Sequence, residues 1–197
     1  PDLLYQKKEN KINSNPDNKI IYFGKKNKGK TFYVIKRTPG TGLFSNVLFV
    51  LNHLKIAIKK GYIPIVDMEN FTTIYNERKK IKKTSNAWEY YFENLSNFKL
   101  KDIYRSQKVI FTDNAYQHNF VYDLEKNRYL TNLFRKRIKI KSDILRDFNK
   151  IRKKMSKKKV LGIHFRGTSY KRSTGHPFPA TKDQMGKIVD FFLKKKK

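Results

Sequence analysis

The pattern of apolar and polar positions near the start of the chain predicts a strand, a helix and a second strand. Thr31 to Lys36 alternates apolar and polar residues, as a half-buried strand does. A helical face follows, with Gly61 as its predicted C-cap; its apolar positions are Phe44, Val47, Leu48, Leu51, Leu54 and Ile58. Tyr62 to Asp67 predicts the second strand. Together these elements make a βαβ unit, whose crossover is right-handed in almost every known protein.

Two more elements and an aromatic cluster complete this part of the chain. Lys108 to Thr112 predicts a third strand, and Ser142 caps a helix that runs to Lys157. The aromatic residues from Trp88 to Phe92 predict core packing in preference to a sugar-stacking platform. Residues 1–29 are polar and rich in turn signals, which predicts a flexible basic lead-in. We therefore expect an N-terminal Rossmann-like domain over residues 30–157.

A strand, a long loop and a helix are predicted from residue 158 onward. The short buried strand is indicated by Val160, Leu161 and Ile163. Thr181 and Gln184 have the spacing of a capping box, which opens a helix that ends at Leu193. The loop over residues 167–180 exceeds the roughly 2–6 residues of ordinary strand-to-helix connections, and long loops are often functional. This pattern predicts that residues 158–197 form the first strand, loop and helix of a second Rossmann-like domain.

Candidate ligand-binding residues cluster where this strand opens into the loop. Arg166 lies at the predicted carboxyl end of the strand, where α/β sheets bind ligands, and its planar guanidinium suits two oxygens of a phosphate. Further candidates in the loop are Gly167, Thr168, Ser169 and His176. His164 fits either a core histidine or a catalytic one. Asn46, near the start of the first helix, fits either a donor to a phosphate or sugar or a helix cap.

Two short segments resemble the fucosyltransferases that use GDP-fucose. His164-Phe165-Arg166-Gly167-Thr168, with the later His176-Pro177, resembles the His-x-Arg-x-Thr segment and trailing His-Pro of the alpha-1,6 and nodulation-factor enzymes. Gly42-Leu43-Phe44-Ser45-Asn46 is similar to the Gly-Arg-Phe-Gly-Asn segment of the more distant protein O-fucosyltransferases. Residues 64–71, 75–77 and 86–92 look like a bacterial branch of the same group. The resemblance spans residues 30 to 193.

This resemblance implies a GT-B-like glycosyltransferase that moves fucose from GDP-fucose to a glycan hydroxyl, with inversion and without a metal or other cofactor. It suggests Arg166 and Asn46 as catalytic residues. The substrate-binding residues that it suggests are Gly42, His164, Gly167, Thr168, Ser169 and His176. Gly167 and Ser169 stand where the alpha-1,6 enzymes usually have arginine and aspartate, and the loop lacks the glutamate proposed as their base. The base therefore stays open among Asp67, Glu69 and Asp113.

The charge and composition of the chain indicate which kinds of partner it could bind. The chain has 46 Lys and Arg against 16 Asp and Glu, a formal net charge of +30. Because lysine, asparagine and isoleucine are abundant throughout and the basic runs are scattered, we interpret these runs as solvated faces without specific nucleic-acid binding. An anionic membrane surface is a further expected partner, through charge alone. The alternative to an enzyme is a non-catalytic basic module that binds glycans or polyanions.

Other absences in the sequence limit the chemistry and the setting. There is no cysteine, which excludes disulfides and thiolate zinc sites, and four dispersed histidines do not predict a metal site. Without a long apolar run or a signal-peptide pattern, we expect a cytoplasmic protein, peripheral at most at the inner membrane face. The last predicted helix has an apolar stripe at Ile188, Val189 and Phe192 with no following strand to cover it. We expect an incomplete second domain, an exposed apolar face and no transfer by this chain alone.

Overall fold

The computed structural model describes residues 20–37, 42–112, 124–165 and 180–194. These residues form a mixed α/β structure with a four-stranded sheet and five α-helices, which is compatible with a Rossmann-like fold. The chain separates into two compact units, Pro1–Phe148 and Asn149–Lys197. The sheet belongs to the first unit. The predicted domain boundary, between residues 157 and 158, lies a short way beyond this division.

Parallel pairing around one central strand defines the sheet. Its strands are β1 (Ile20–Ile21), β2 (Lys26–Ile35), β3 (Ile63–Val66) and β4 (Ser106–Phe111). Their order is β1-β4-β2-β3, with β2 parallel to both β3 and β4 and β1 antiparallel to β4. Phe32 of β2 lies opposite Ile63 on one side and Val109 on the other. The three predicted strands are therefore confirmed.

Strand pairing begins earlier than the composition indicated. The strand β1 and the first residues of β2 lie inside the predicted lead-in of residues 1–29. Ile20 pairs with Ile110 of β4, which is far along the chain. Local turn signals carry no information about such a distant partner. The prediction of a flexible lead-in is therefore wrong from Ile20 onward.

The helix between β2 and β3 is the one that the apolar periodicity predicted. This helix, α1 (Leu43–Lys60), ends at Gly61, whose positive φ of 66° is a left-handed conformation that glycine adopts without steric cost. The Gly61 N–H donates back to the carbonyls of Ala57 and Ile58, which closes the helix as a C-cap. Lys59 and Lys60 in the last turn favour the negative end of the helix dipole.

A hydrophobic core fills each face of the sheet. On the face covered by α1, the strands contribute Tyr33, Ile35, Val66 and Ile110. Trp88, Tyr90 and Phe92 belong to the same core and are each less than a tenth exposed, which confirms the packing role predicted for the aromatic cluster. The core on the opposite face contains Phe32, Val34, Ile65, Ile103 and Val109.

The other helices of the first unit are short or strongly basic. They are α2 (Leu100–Ile103), α3 (Leu124–Arg137) and the start of α4 (Ser142–Met155), and a 3-10 turn covers Ala87–Tyr90. The helix predicted from Ser142 is confirmed as α4. Its apolar side chains Phe148 and Ile151 are more than half exposed.

In the second unit, the predicted helix is present and the predicted strand is not. Helix α5 (Lys182–Lys194) begins with the expected capping box, in which Thr181 N–H donates to Gln184 Oε1 and Gln184 N–H donates to Thr181 Oγ1. Residues 159–165 have no strand partner among the described residues, and Val160 is 50% exposed. A buried strand needs a neighbouring strand, so this prediction is wrong here. Ile188 and Phe192 are exposed as expected.

Candidate functional site

Three parallel strands end together at one edge of the sheet, which we call the carboxyl edge. From β2 the chain passes through α1 to β3 on one side, and it later enters β4 on the other side of β2. The gap between the carboxyl ends of β2 and β4 is therefore a topological switch point. Open α/β sheets bind their ligands at such points. The carboxyl edge is accordingly the first place to look for a site.

Hydrogen bonds of Thr112 connect the two strands that border this gap. Its N–H donates to the carbonyl of Val34 at 2.9 Å, and its hydroxyl donates to the carbonyl of Lys36 at 3.0 Å. The hydroxyl oxygen also accepts the Lys36 N–H at 3.0 Å. Thr112 is 3% exposed, so these bonds are shielded from water. The backbone of the next residues, which follow β2, is thereby held in place.

Those next residues are two cations, Lys36 and Arg37. The Lys36 ammonium lies 4.7 Å from the centroid of the Phe71 ring, a cation–π distance. Arg37 Nη1 donates to the carbonyl and to the hydroxyl of Ser45, at 2.8 and 3.1 Å. Burial lowers the pKa of the Arg37 guanidinium, which stays charged because an arginine side chain does not lose its proton in proteins. Two positive charges thus border the switch point.

The first turn of α1 adds to this positive potential. It contains no acidic residue, and its N-cap, Gly42, supplies no side-chain cap. The N–H of Leu43 donates to the Tyr75 hydroxyl at 2.7 Å. Since the N-terminus of a helix carries partial positive charge, Arg37 and this turn raise the potential together. An anionic group of a ligand is favoured beside them.

On the other side of β2, Asp67 follows β3 and is fully buried. Its Oδ1 accepts the N–H groups of Glu69 and Asn70, at 3.1 and 2.9 Å. Its Oδ2 accepts Asn70 Nδ2 at 3.0 Å and the Tyr104 hydroxyl at 2.5 Å. Four donors use the whole accepting capacity of one carboxylate. Asp67 therefore holds the loop after β3.

Tyr104 is the donor in its contact with Asp67 at ordinary pH. Burial, and next the negative charge of Asp67, raise the pKa of the Tyr104 hydroxyl far above its usual value. The phenol therefore keeps its proton and donates it to the carboxylate. Of the three candidate bases, Asp67 is occupied, Glu69 is exposed, and Asp113 lies outside the described residues. Glu69 is thus the one with an accessible carboxylate in the described part of the chain.

Two asparagines complete the loop that connects β3 to the 3-10 turn. Asn86 is fully buried; its Nδ2 donates to the carbonyl of Val66 at 2.8 Å and its Oδ1 accepts the Met68 N–H at 3.1 Å. Asn76 Nδ2 donates to the carbonyls of Met68 and Ser85. Both residues lie in segments of the family resemblance. Their contacts are structural, and they fix the loop that presents Glu69.

Asn46 and Gly42 lie at the start of α1, and their surroundings exclude one of the two interpretations of Asn46. Asn46 is 2% exposed, and its N–H donates to the Gly42 carbonyl as part of the helix. The N-cap position belongs to Gly42, so the interpretation of Asn46 as a cap is wrong. A Cβ on Gly42 would meet no atom within 4 Å, which shows that no close contact requires glycine there. The burial of Asn46 argues for a role inside the unit.

The remaining predicted site residues belong to the second unit. His164 is exposed, so the alternative of a core histidine is wrong. The predicted phosphate-binding segment lies outside the described residues; it comprises Arg166, Gly167, Thr168, Ser169 and His176. Lys36, Arg37 and Tyr104 were not among the sequence candidates. Lys36 and Arg37 had one signal in the sequence, their position directly after an apolar strand. Tyr104 had none.

Comparison with known proteins adds no assignment. No protein-family model, curated protein or solved structure matches this chain. Within the described residues, no group of three or more potential metal ligands lies close together. No helix in the same part of the chain is long and apolar enough to cross a membrane. The site must therefore be interpreted from its own geometry.

Proposed function

We propose that this chain forms part of a GT-B-like glycosyltransferase that moves fucose from GDP-fucose to a hydroxyl of a glycan, with inversion and without a metal. The observation that carries the proposal is the carboxyl edge of the parallel sheet. There, Lys36 and Arg37 follow the central strand, and the exposed Glu69 follows β3. Two cations beside the switch point and one accessible carboxylate at the same edge of the sheet suit a sugar transfer from an anionic donor. The choice of GDP-fucose as the donor rests on the segments that resemble fucosyltransferases.

The proposed reaction requires an oxygen nucleophile, a base and stabilisation of a leaving diphosphate. The acceptor oxygen attacks the anomeric carbon of fucose while the bond from that carbon to the diphosphate breaks. The base takes the acceptor proton, and GDP leaves with the bonding electrons and an added negative charge. Arg166 and the loop cations stabilise this charge, because preorganised donors act where charge develops. His164, Gly167, Thr168, Ser169 and His176 contribute the rest of the donor site.

The base that we propose is Glu69. Its backbone N–H is bound to the buried Asp67, which fixes the loop, while its side chain faces solvent. A carboxylate in this situation can reach an incoming hydroxyl, whereas the four bonds on Asp67 leave it no lone pair. Wherever transfer is measurable, Glu69→Gln should abolish it and leave the affinity for GDP-fucose unchanged. Loss of donor affinity in this variant would contradict a role for Glu69 as base.

Donor binding gives the direct test of the proposal. We expect saturable binding of GDP-fucose by calorimetry at about 0.15 M salt, where screening already weakens contacts that depend on charge alone. Arg166→Ala should weaken binding roughly 100-fold, as loss of one preorganised charge-assisted contact does. Arg166→Lys should restore little, because lysine lacks the planar fork. Arg146→Ala, an exposed arginine on α4, is the control and should change nothing.

The non-catalytic alternative predicts a different pattern. A module that binds polyanions by charge should take up pyrophosphate or heparin as well as GDP-fucose, and all three affinities should collapse together as salt rises. Equal effects of Arg166→Ala and Arg146→Ala would also favour this alternative. Either result would refute the proposed donor site.

A further inference from the structure

The loop after β3 carries a hairpin with an unusual backbone. Ile81 and Thr84 exchange two N–H to carbonyl bonds of 3.0 Å around a two-residue turn. The turn residues, Lys82 and Lys83, have φ angles of 50° and 72°. Two-residue turns with positive φ at both positions strongly prefer Asn-Gly, because other side chains are strained there. Lysine at both positions costs stability, and such strain is typical of functional segments.

Positive charge is concentrated on this hairpin. Residues 78–83 contain five cations, namely Arg78, Lys79, Lys80, Lys82 and Lys83. All five are exposed, and the segment has no acidic residue between Glu77 and Glu89. Lys82 forms an ion pair with Asp143. We call residues 78–84 the basic hairpin.

The basic hairpin is held firmly against the sheet. The Thr84 hydroxyl donates to Glu89 Oε2 at 2.9 Å and accepts the Asn86 N–H at 3.1 Å. Asn86 in turn donates to the carbonyl of Val66, the last residue of β3. Since four residues span at most about 14 Å, the turn lies close to the carboxyl edge. This placement distinguishes it from basic runs on helices, such as residues 150–154.

We propose that the basic hairpin is a binding site for phosphate groups, either on a free phosphorylated ligand or on a lipid headgroup. A fixed backbone that carries several lysines pays little entropy when it meets several phosphate oxygens, and charge-assisted bonds are the strong ones. The site does not depend on the proposed transfer of fucose. It is separate from Arg166 and from the donor loop in sequence.

The test compares two variants of the full chain that lose the same charge. The hairpin variant is Lys79→Gln, Lys80→Gln and Lys83→Gln; the control variant is Arg152→Gln, Lys153→Gln and Lys154→Gln, on α4. Binding of tripolyphosphate is measured by calorimetry at about 0.15 M salt. Binding to phosphatidylglycerol-containing vesicles is measured by co-sedimentation. Circular dichroism checks that both variants fold, and Lys83→Gln alone serves if the triple variant does not.

The hairpin variant should weaken binding about tenfold or more, whereas the control variant should change it less than about threefold. Loss of tripolyphosphate binding identifies free phosphate as a ligand, and loss confined to vesicles identifies a lipid headgroup. For Lys83→Gln alone, a weakening of about threefold is expected. Equal weakening by both triple variants, or no weakening by the hairpin variant, would overturn the proposal, because net charge would then explain all binding.

Discussion

Removing the hydroxyl of Tyr104 tests the network that orders the carboxyl edge. In Tyr104→Phe, the ring keeps its contacts with Phe23 and Phe111, at centroid distances of 5.1 and 6.3 Å. The buried Asp67 loses one of its four donors. A hydrogen bond to a charged group contributes about 1.5–3 kcal/mol, so the first unit should lose that much stability at neutral pH.

The pH dependence sharpens this prediction. An unfolded tyrosine ionises near pH 10, whereas burial and Asp67 keep Tyr104 protonated in the folded chain to higher pH. Because its folded pKa is raised, its contribution to stability is complete below about pH 10 and is lost as pH rises above that value. The loss is about 1.4 kcal/mol at pH 11. The stability difference between wild type and Tyr104→Phe should therefore shrink by about that amount between pH 9 and pH 11.

Trp88 provides the assay, because it is the only tryptophan and is 2% exposed in the first unit. Urea unfolding followed by its fluorescence gives the free energy of unfolding of that unit at each pH. Tyr129→Phe is the control: this ring is 45% exposed on α3, and phenylalanine keeps its contact with Lys55. Equal stability of Tyr104→Phe and wild type at pH 7, or a gap that does not change with pH, would refute the hydrogen bond to Asp67.

Three further changes test other parts of the fold. Asn86→Ala should lower the free energy of unfolding, measured in urea, by about 3 kcal/mol or more, because three buried backbone groups each lose a partner at about 1 kcal/mol. Asn149→Ala, on the surface of α4, is the control and should change it very little. Lys83→Gly should raise the stability of the first unit by up to about 1 kcal/mol by relieving its positive φ, and Lys79→Gly should not. Thr181→Ala should destabilise α5 by about 1 kcal/mol, seen as faster amide exchange in its first turn.

Elements with a local signal were predictable from the sequence. The helix α1 has an apolar stripe and a terminal glycine, and the capping box at Thr181 uses residues only three positions apart. Strands β2 and β3 also lie close together along the chain, so their parallel pairing follows from the helix between them. In these cases the residues that contact each other lie close together along the chain, so a short stretch of sequence is enough to predict the element.

Contacts between distant residues were not predictable in the same way. Tyr104 reaches Asp67 across the sheet, and Ile20 finds its partner in β4. Neither pair leaves a periodicity or a motif in the sequence. Arg37 has no motif that marks it in the sequence, yet its bonds to Ser45 place it beside the first turn of α1. Thus the three parallel strands could be predicted, but β1 and the contacts that the polar groups make at the carboxyl edge could not.

The segment from Val160 to Phe165 shows the limit of an apolar pattern most clearly. Its short apolar run suits a buried strand, but a strand is stable only when its N–H and carbonyl groups pair with a neighbour. The described residues offer none, and Leu161 and Ile163 are 43% and 49% exposed. The position of Arg166 was inferred from that strand, so its role now rests on the motif alone. The carboxyl edge of the first unit, where the contacts are described, therefore carries the geometric part of the functional proposal.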